Sequence, residues 1–231
     1  MLFNLASRSS SPMSVVIKGE KLNQASSLNF LGFELDSSLK WESHIDKVCS
    51  KIGSACFALR RVVRVVPEAV ARTCYFATVH SLLQYGAELW GRAAEWQRAF
   101  RMQKRAIRAI VGIPQDVSAR PHFKRLGILT LPSIVIMQVA IYVQKNLESY
   151  TTHNDIHSYR TRNANKLTGV KRTLTKSSKF THVMGPSVYN KLPDSITAAP
   201  TLACFKSRLK RWLVEQTFYD YDEFFSCKVQ N

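Results

Sequence analysis

Acidic residues are scarce in this chain of 231 residues: 16 Asp and Glu stand against 33 Lys and Arg, which leaves a formal net charge of +17. No two aspartates stand side by side. The paired carboxylates that hold two metal ions about 4 Å apart in phosphoryl or nucleotidyl transfer are therefore not signalled. There is no G-x-S-x-G, no phosphate-binding glycine loop and no G-x-G-x-x-G. The five cysteines, Cys49, Cys56, Cys74, Cys204 and Cys227, contain no C-x-x-C pair. Their odd number, and the helical spacing of Cys49 and Cys56 among apolar neighbours, point to free buried thiols in a reducing, intracellular compartment. The longest apolar run, SIVIMQVAIYV, falls short of the roughly 18 residues of a membrane span.

What is present is a core-forming composition, 45% hydrophobic and 10% aromatic, with a large positive surplus. Such a surplus favours a polyanionic partner, because every phosphate neutralised releases condensed counterions. Nucleic acid is the leading candidate; an anionic membrane surface or an acidic protein answers to the same charge.

The pattern along the chain predicts a mainly α fold, a helical bundle carrying one N-terminal antiparallel β-hairpin. Residues 1–13, serine-rich and without an acid, read as a leader. Over 14–40, MSVVIKGEKL and LNFLGFEL read as the two strands of a single hairpin, which needs a surface to lie on. Residues 41–150 read as the helical domain. A helix over about Glu42 to Arg64 places Ile45, Val48, Ile52, Cys56, Leu59 and Val63 on one face, with Lys47, Lys51 and Arg61 elsewhere. A second, from Pro67 to about Tyr85 and stopped by Gly86, is apolar around most of its circumference and is expected at the centre. A third, about Glu95 to Val111, turns Trp96, Phe100, Ile107 and Ile110 inward and carries a row of arginines, Arg98, Arg101, Arg105 and Arg108. A fourth, very apolar, opens at Pro132. Residues 151–180 hold seven Lys and Arg against Asp155 and read as a basic linker, and 181–231 as a C-terminal helical segment ending in a helix from Thr201 to about Gln216.

Each chemical feature has a plain structural reading. Asp220 and Asp222 read as a solvated acidic tip, His153 and His157 as surface histidines, and His80 as a packed histidine. Trp41, Trp90, Trp96 and Trp212 lie in apolar stretches and read as core rather than as platforms for bases. A row of arginines on one helix is usually only a solvated face. Its recurrence beside the lysines of the first helix, the basic linker and FKSRLKRWL favours a nucleic-acid grip.

The order of NFLGFELDSSLKWESHI, LLQYGAELWG, MQKRAIRAIVGI, HSYRTR, VYNKLP and FKSRLKRWL, spread over about residues 14 to 225, resembles the C-terminal third of reverse transcriptases of non-LTR, jockey-like retrotransposons. The resemblance implies that Phe30, Leu31 and Gly32 belong to a primer-gripping hairpin at the palm edge, and that the helices after it form the thumb on a template–primer duplex. The family's F/Y-x-D-D strand has no counterpart here, so the resemblance implies a chain that begins after the catalytic palm and binds without catalysing. No cofactor is expected in it; magnesium belongs to the full-length polymerase. The expected nucleic-acid contacts are Phe30, Leu31, Gly32, Lys47, Lys51, Arg98, Arg101, Arg105 and Arg108. The expected partners are an RNA/DNA template–primer duplex and a palm-bearing polymerase chain, with no membrane, in the cytoplasm and nucleus. The other reading is a basic helical DNA- or RNA-binding protein with a cellular role, and a third an adaptor for acidic proteins.

Overall fold

The structure, a computed structural model, describes residues 15–21, 25–156, 164–169 and 180–228, together with Phe3. It is mainly α-helical with small antiparallel pairings at its N-terminal side. Where one hairpin was expected over 14–40 there are two. β1 (Val16–Ile17) pairs with β2 (Glu20–Lys21), and β3 (Ser27–Phe30) pairs with β4 (Phe33–Asp36). The stretch LNFLGFEL is thus not one strand but two, joined by a tight turn at Leu31 and Gly32, with Phe30 opposite Phe33. Leu31 and Gly32 both take left-handed φ, 49° and 82°, as a two-residue hairpin loop that follows the twist of its strands requires.

The junction from β4 into the first helix is built by one carboxylate. Asp36 Oδ1 accepts from the Ser38 amide at 3.0 Å, the Ser38 hydroxyl at 2.7 Å and the Lys40 amide at 3.1 Å, while Oδ2 accepts from the Trp41 amide at 2.9 Å. Burial works to raise the pKa of this carboxyl, but these donors outweigh it and hold the pKa below the usual value. α1 (Glu42–Val62) follows, burying Ile45, Val48, Ile52, Cys56 and Leu59 on the expected face.

The helix expected after Pro67 is a continuous run with a π-turn in its middle: α2 (Glu68–Tyr75), Phe76–His80 in π geometry, and α3 (Ser81–Gln84). It is not buried all round. Ala71, Tyr75, Val79 and Leu83 face the core, whereas Val70, Thr73, Ala77, Thr78 and Gln84 are exposed. The central helix is instead α7 (Leu131–Lys145), in which Leu131, Ile134, Val135, Ile136, Val139, Ala140 and Val143 are buried. The chain reaches it through α4 (Ala87–Trp90), α5 (Trp96–Val111) and α6 (Arg120–Arg125). α5 lies along α1 with like ends together: Asp46 meets Arg98 near their starts, and the methyl carbon of Met102 on α5 lies close to Gly53 on α1.

Within 151–180, the described residues are not a bare linker. Thr152 bridges Leu167, and Asn190 holds the Leu167 backbone at both its amide (2.9 Å) and its carbonyl (2.8 Å). The C-terminal helices α9 (Thr181–Tyr189), α10 (Asp194–Thr197), α11 (Leu202–Gln216) and α12 (Tyr221–Ser226) share one hydrophobic core with residues 41–140 rather than forming a separate segment. Tyr221 and Phe224 are buried, and the Tyr221 hydroxyl donates to the Gly91 carbonyl at 2.6 Å, tying the far end of the chain to the turn after α4. All five cysteines are free thiols, with Cys56 fully buried. Trp41, Trp90 and Trp96 are core residues as expected. No helix among the described residues is long and apolar enough to cross a membrane.

Candidate nucleic-acid interface

α5 turns its apolar positions and Gln103 into the core and its basic positions outward. The four arginines of the row are not equivalent. Arg98 is held by Asp46 at 2.6 Å, with Glu95 at 3.9 Å, and the hydrogen bond to Asp46 is the main reason its pKa rises. Arg108 Nε donates to the Val117 carbonyl at 2.9 Å. Arg101 and Arg105, between them, are exposed and have no acidic partner among the described residues. Lys104 is set apart over the rings of Phe100, at 4.8 Å, and Tyr219, at 5.5 Å. Burial, and then the charges of Arg108 and Arg101, push its pKa down.

Because α1 and α5 run side by side, their last turns bring Arg60 and Arg64 opposite Arg105 and Arg108 across a cleft of about 360 Å³. Arg60 and Arg64 were not expected at the site. Arg60 stands in the last turn of α1 and Arg64 in the turn that follows it; their spacing of four residues in RRVVR is a signal present in the sequence, but their pairing with α5 depends on a contact more than 40 residues away along the chain.

The other expected residues lie on the opposite flank of α1. Lys47, Lys51 and Gly32 surround a second cleft of about 270 Å³ with His44, Ser81, Leu82 and Tyr85. Lys47 is paired with Glu34 at 2.7 Å, and that hydrogen bond is the first reason the Glu34 carboxyl stays below its usual pKa. Lys51 is exposed and without an acidic partner among the described residues. Phe30 and Leu31 project from the hairpin tip, 54% and 71% exposed, and the Leu31 carbonyl accepts from the Tyr85 hydroxyl at 2.5 Å. Gly32 serves the turn rather than a close backbone approach: a Cβ there would find nothing nearer than Tyr85 Cε1 at 3.8 Å. The nine expected residues therefore fall into two groups, a lysine and hairpin group and an arginine group, separated by the exposed ridge of α1. Of the seven basic residues in 151–180, only Lys166 is among the described residues.

Elsewhere among the described residues, three cations are paired with acids. Arg120 pairs with Glu223 at 2.6 Å, Arg125 with Glu68 at 2.6 Å and Lys124 with Glu215; of the expected acidic tip, Asp222 is exposed and Asp220 caps the last helix by accepting from the Asp222 amide. The described residues bring no three His, Cys, Asp or Glu side chains together as a metal site. His153 and Asp155 are exposed on a short helix, and His157 lies outside the described residues.

Two buried or largely buried histidines, His44 beside the lysine group and His80 in the π-turn, favour their neutral forms. His44 is buried between the edges of Trp41 and Trp90, with ring centroids 5.8 and 5.6 Å away, and neither ring nitrogen has a hydrogen-bond partner. Burial first, and then the charge of Lys47, lowers its pKa. His80 closes the π-turn and is pushed down to about 4, mainly by burial and secondarily by the charge of Lys210. Both groups favour the neutral form in the fold, so their contribution is fully present above an unfolded pKa near 6.5 and is lost as the pH falls toward the folded values. For His80 the loss between pH 6.5 and 4 is expected to approach about 3 kcal/mol. Urea unfolding of wild type and His80→Asn at pH 7, 5.5 and 4.5 checks this: the wild type should lose more stability on acidification, and parallel losses would contradict it.

No protein-family model matches the chain, and no curated protein or solved structure matches it. The fold and this surface carry the functional argument: a mainly helical domain with a row of arginines on one helix, of which Arg101 and Arg105 have no acidic partner among the described residues, and a basic cleft at its end.

Proposed function

We propose that the chain is a thumb-like nucleic-acid-binding region of a non-LTR reverse transcriptase, which grips a template–primer duplex by its phosphates and leaves catalysis to a palm-bearing polymerase chain. The observation that carries the reading is the row on α5, where Arg101 and Arg105 stand exposed without acidic partners among the described residues, while Arg98 and Arg108 in the same row are held by Asp46 and the Val117 carbonyl. The order of sequence motifs that resembles that family supports the same assignment. Guanidinium forks suit phosphate oxygens, and contacts of this kind fix a duplex in place while carrying no base information.

Replacing Arg101 and Arg105 with glutamine is expected to weaken binding to unrelated duplexes about equally. The slope of log affinity against log salt should flatten by roughly two units if both contact phosphate. Stability should change by less than about 0.5 kcal/mol, since both side chains are exposed. A salt titration on an RNA–DNA hybrid and on a DNA duplex, with thermal unfolding as control, decides it. Coincident slopes in two folded proteins would show the row to be a solvated face only.

A further inference from the structure

The cleft between the last turns of α1 and α5 differs in kind from the open row beside it. Arg60, Arg64, Arg105 and Arg108 line it together with Val63, Ala109 and Ile113, and no acidic residue belongs to its lining. The nearest acid in sequence, Asp116, follows the lining residue Gln115 and is exposed. Arginines near helix C-termini ordinarily offset the macrodipole, and that is the simplest account of any one of them. Two helix ends, however, carry only about half a negative charge each, so about three of the four positive charges remain over. Arg108 spends its Nε on Val117, which leaves its two terminal nitrogens for a ligand.

The volume of about 360 Å³ lies near the low end of the range for small-ligand sites, roughly 300–1,000 Å³, and cannot admit a duplex. A compact, highly charged anion fits both the size and the surplus. The geometry points to a polyphosphate chain as the occupant of this cleft. With about one charge on each internal phosphate and up to about two at the end, three linked phosphates carry about three to four negative charges, which matches that surplus. The planar forks of these arginines can each engage phosphate oxygens in bidentate fashion. The apolar residues of the lining offer a surface to an attached nucleoside. Two sources carry this chemistry, the 5′-triphosphate end of an RNA strand and a free nucleoside triphosphate. Arg105 and Arg108 belong to both the row and the cleft, whereas Arg60, on α1, and Arg64, in the turn after it, lie outside the row and so separate the cleft from the duplex grip.

The test measures binding of inorganic tripolyphosphate to the full chain at fixed, moderate salt. The wild type is compared with Arg60→Gln/Arg64→Gln and with Lys145→Gln/Arg211→Gln, which removes the same charge elsewhere. The cleft variant should lose affinity by about tenfold or more, since hydrogen bonds to charged groups are worth roughly 1.5–3 kcal/mol each, and the control should keep it. No binding by the wild type, equal binding by the cleft variant, or equal losses in both variants would each overturn the proposal. ATP and two RNAs of one sequence, one with a 5′-triphosphate and one with a 5′-hydroxyl, then assign the source. Tighter binding of the triphosphorylated RNA assigns the strand end, and equal RNAs with retained ATP binding assign the free nucleotide. A blunt duplex with 5′-hydroxyl ends, titrated alongside, reports on the α5 row separately.

Discussion

Gln103→Leu is expected to remove about 4 kcal/mol of folding stability. Gln103 sits on the inner face of α5, fully buried, and satisfies three groups at once. Its side-chain amide donates to the Tyr75 hydroxyl at 2.8 Å and to the Leu129 carbonyl at 2.9 Å, and its carbonyl accepts from the Leu131 amide at 2.8 Å. These bonds join α2, α5 and the start of α7, three elements whose backbones would otherwise present polar atoms to the core. Leucine has a similar volume but no polar atoms, so each partner would be left without a hydrogen bond at about 1–3 kcal/mol apiece. Tyr75 cannot escape the loss by ionising, because burial drives its pKa far upward. Against a typical total of about 5–15 kcal/mol, such a loss leaves a protein that unfolds at low urea concentration. Gln97→Leu on the exposed side of the same helix should shift stability by less than about 0.5 kcal/mol. Equal urea midpoints for the two variants would show that the three-way junction is not what holds α5 in place.

Gln103 also shows what the sequence conceals. It stands among Arg101, Lys104 and Arg105 in RMQKRAIRAI and reads as one more polar surface residue, yet helical spacing places it between Ala99 and Ala106 on the face that turns inward. Periodicity was enough for α1, α5, α7 and α11, whose apolar positions recur at steps of three and four and whose observed ends fall within about two residues of those expected. It misled for 67–85, because an apolar residue such as Val70 can stay exposed when no neighbour covers its side of the helix, and the π-turn shifts the faces within that run. The short helices α4, α6 and α12 are a turn or so long and too brief to show a period. The arginine row was legible because it lies on one helix. The cleft was not, since Arg60 and Arg64 join Arg105 and Arg108 only through the side-by-side packing of two helices far apart in sequence.

The second large effect is expected at Gly86, where a backbone requirement and a packing requirement coincide. Gly86 follows α3 with a φ of 56°, in the left-handed region, and so ends the helix as its place after LLQY foreshadows. A Cβ on it would also run into the ring of Phe33, reaching Cε1 at 2.6 Å, and a rigid ring leaves little room to give. Phe33 is the residue that docks the β3–β4 hairpin. Its ring stacks on Tyr85 at 4.7 Å with the planes 9° apart, tilts against His44 at 5.3 Å and meets Trp41 edge-on at 6.0 Å. The hairpin thus rests on the Tyr85–Gly86 corner as well as on α1, a support that sequence spacing alone did not reveal. Gly86→Val should incur about 1–2 kcal/mol for holding a β-branched residue in left-handed geometry, and about 1 kcal/mol or more for displaced aromatic contacts. Gly112→Val separates the two terms, since Gly112 has a φ of 70° but nothing within 4 Å of its would-be Cβ. Both variants should lose stability, Gly86→Val by the larger amount, and only Gly86→Val should speed amide exchange across Ser27–Asp36 while α7 stays protected. Equal losses with unchanged exchange in the hairpin would mean that Phe33 does not anchor it, and that the cleft around Lys51 owes its shape to α1 and α3 alone.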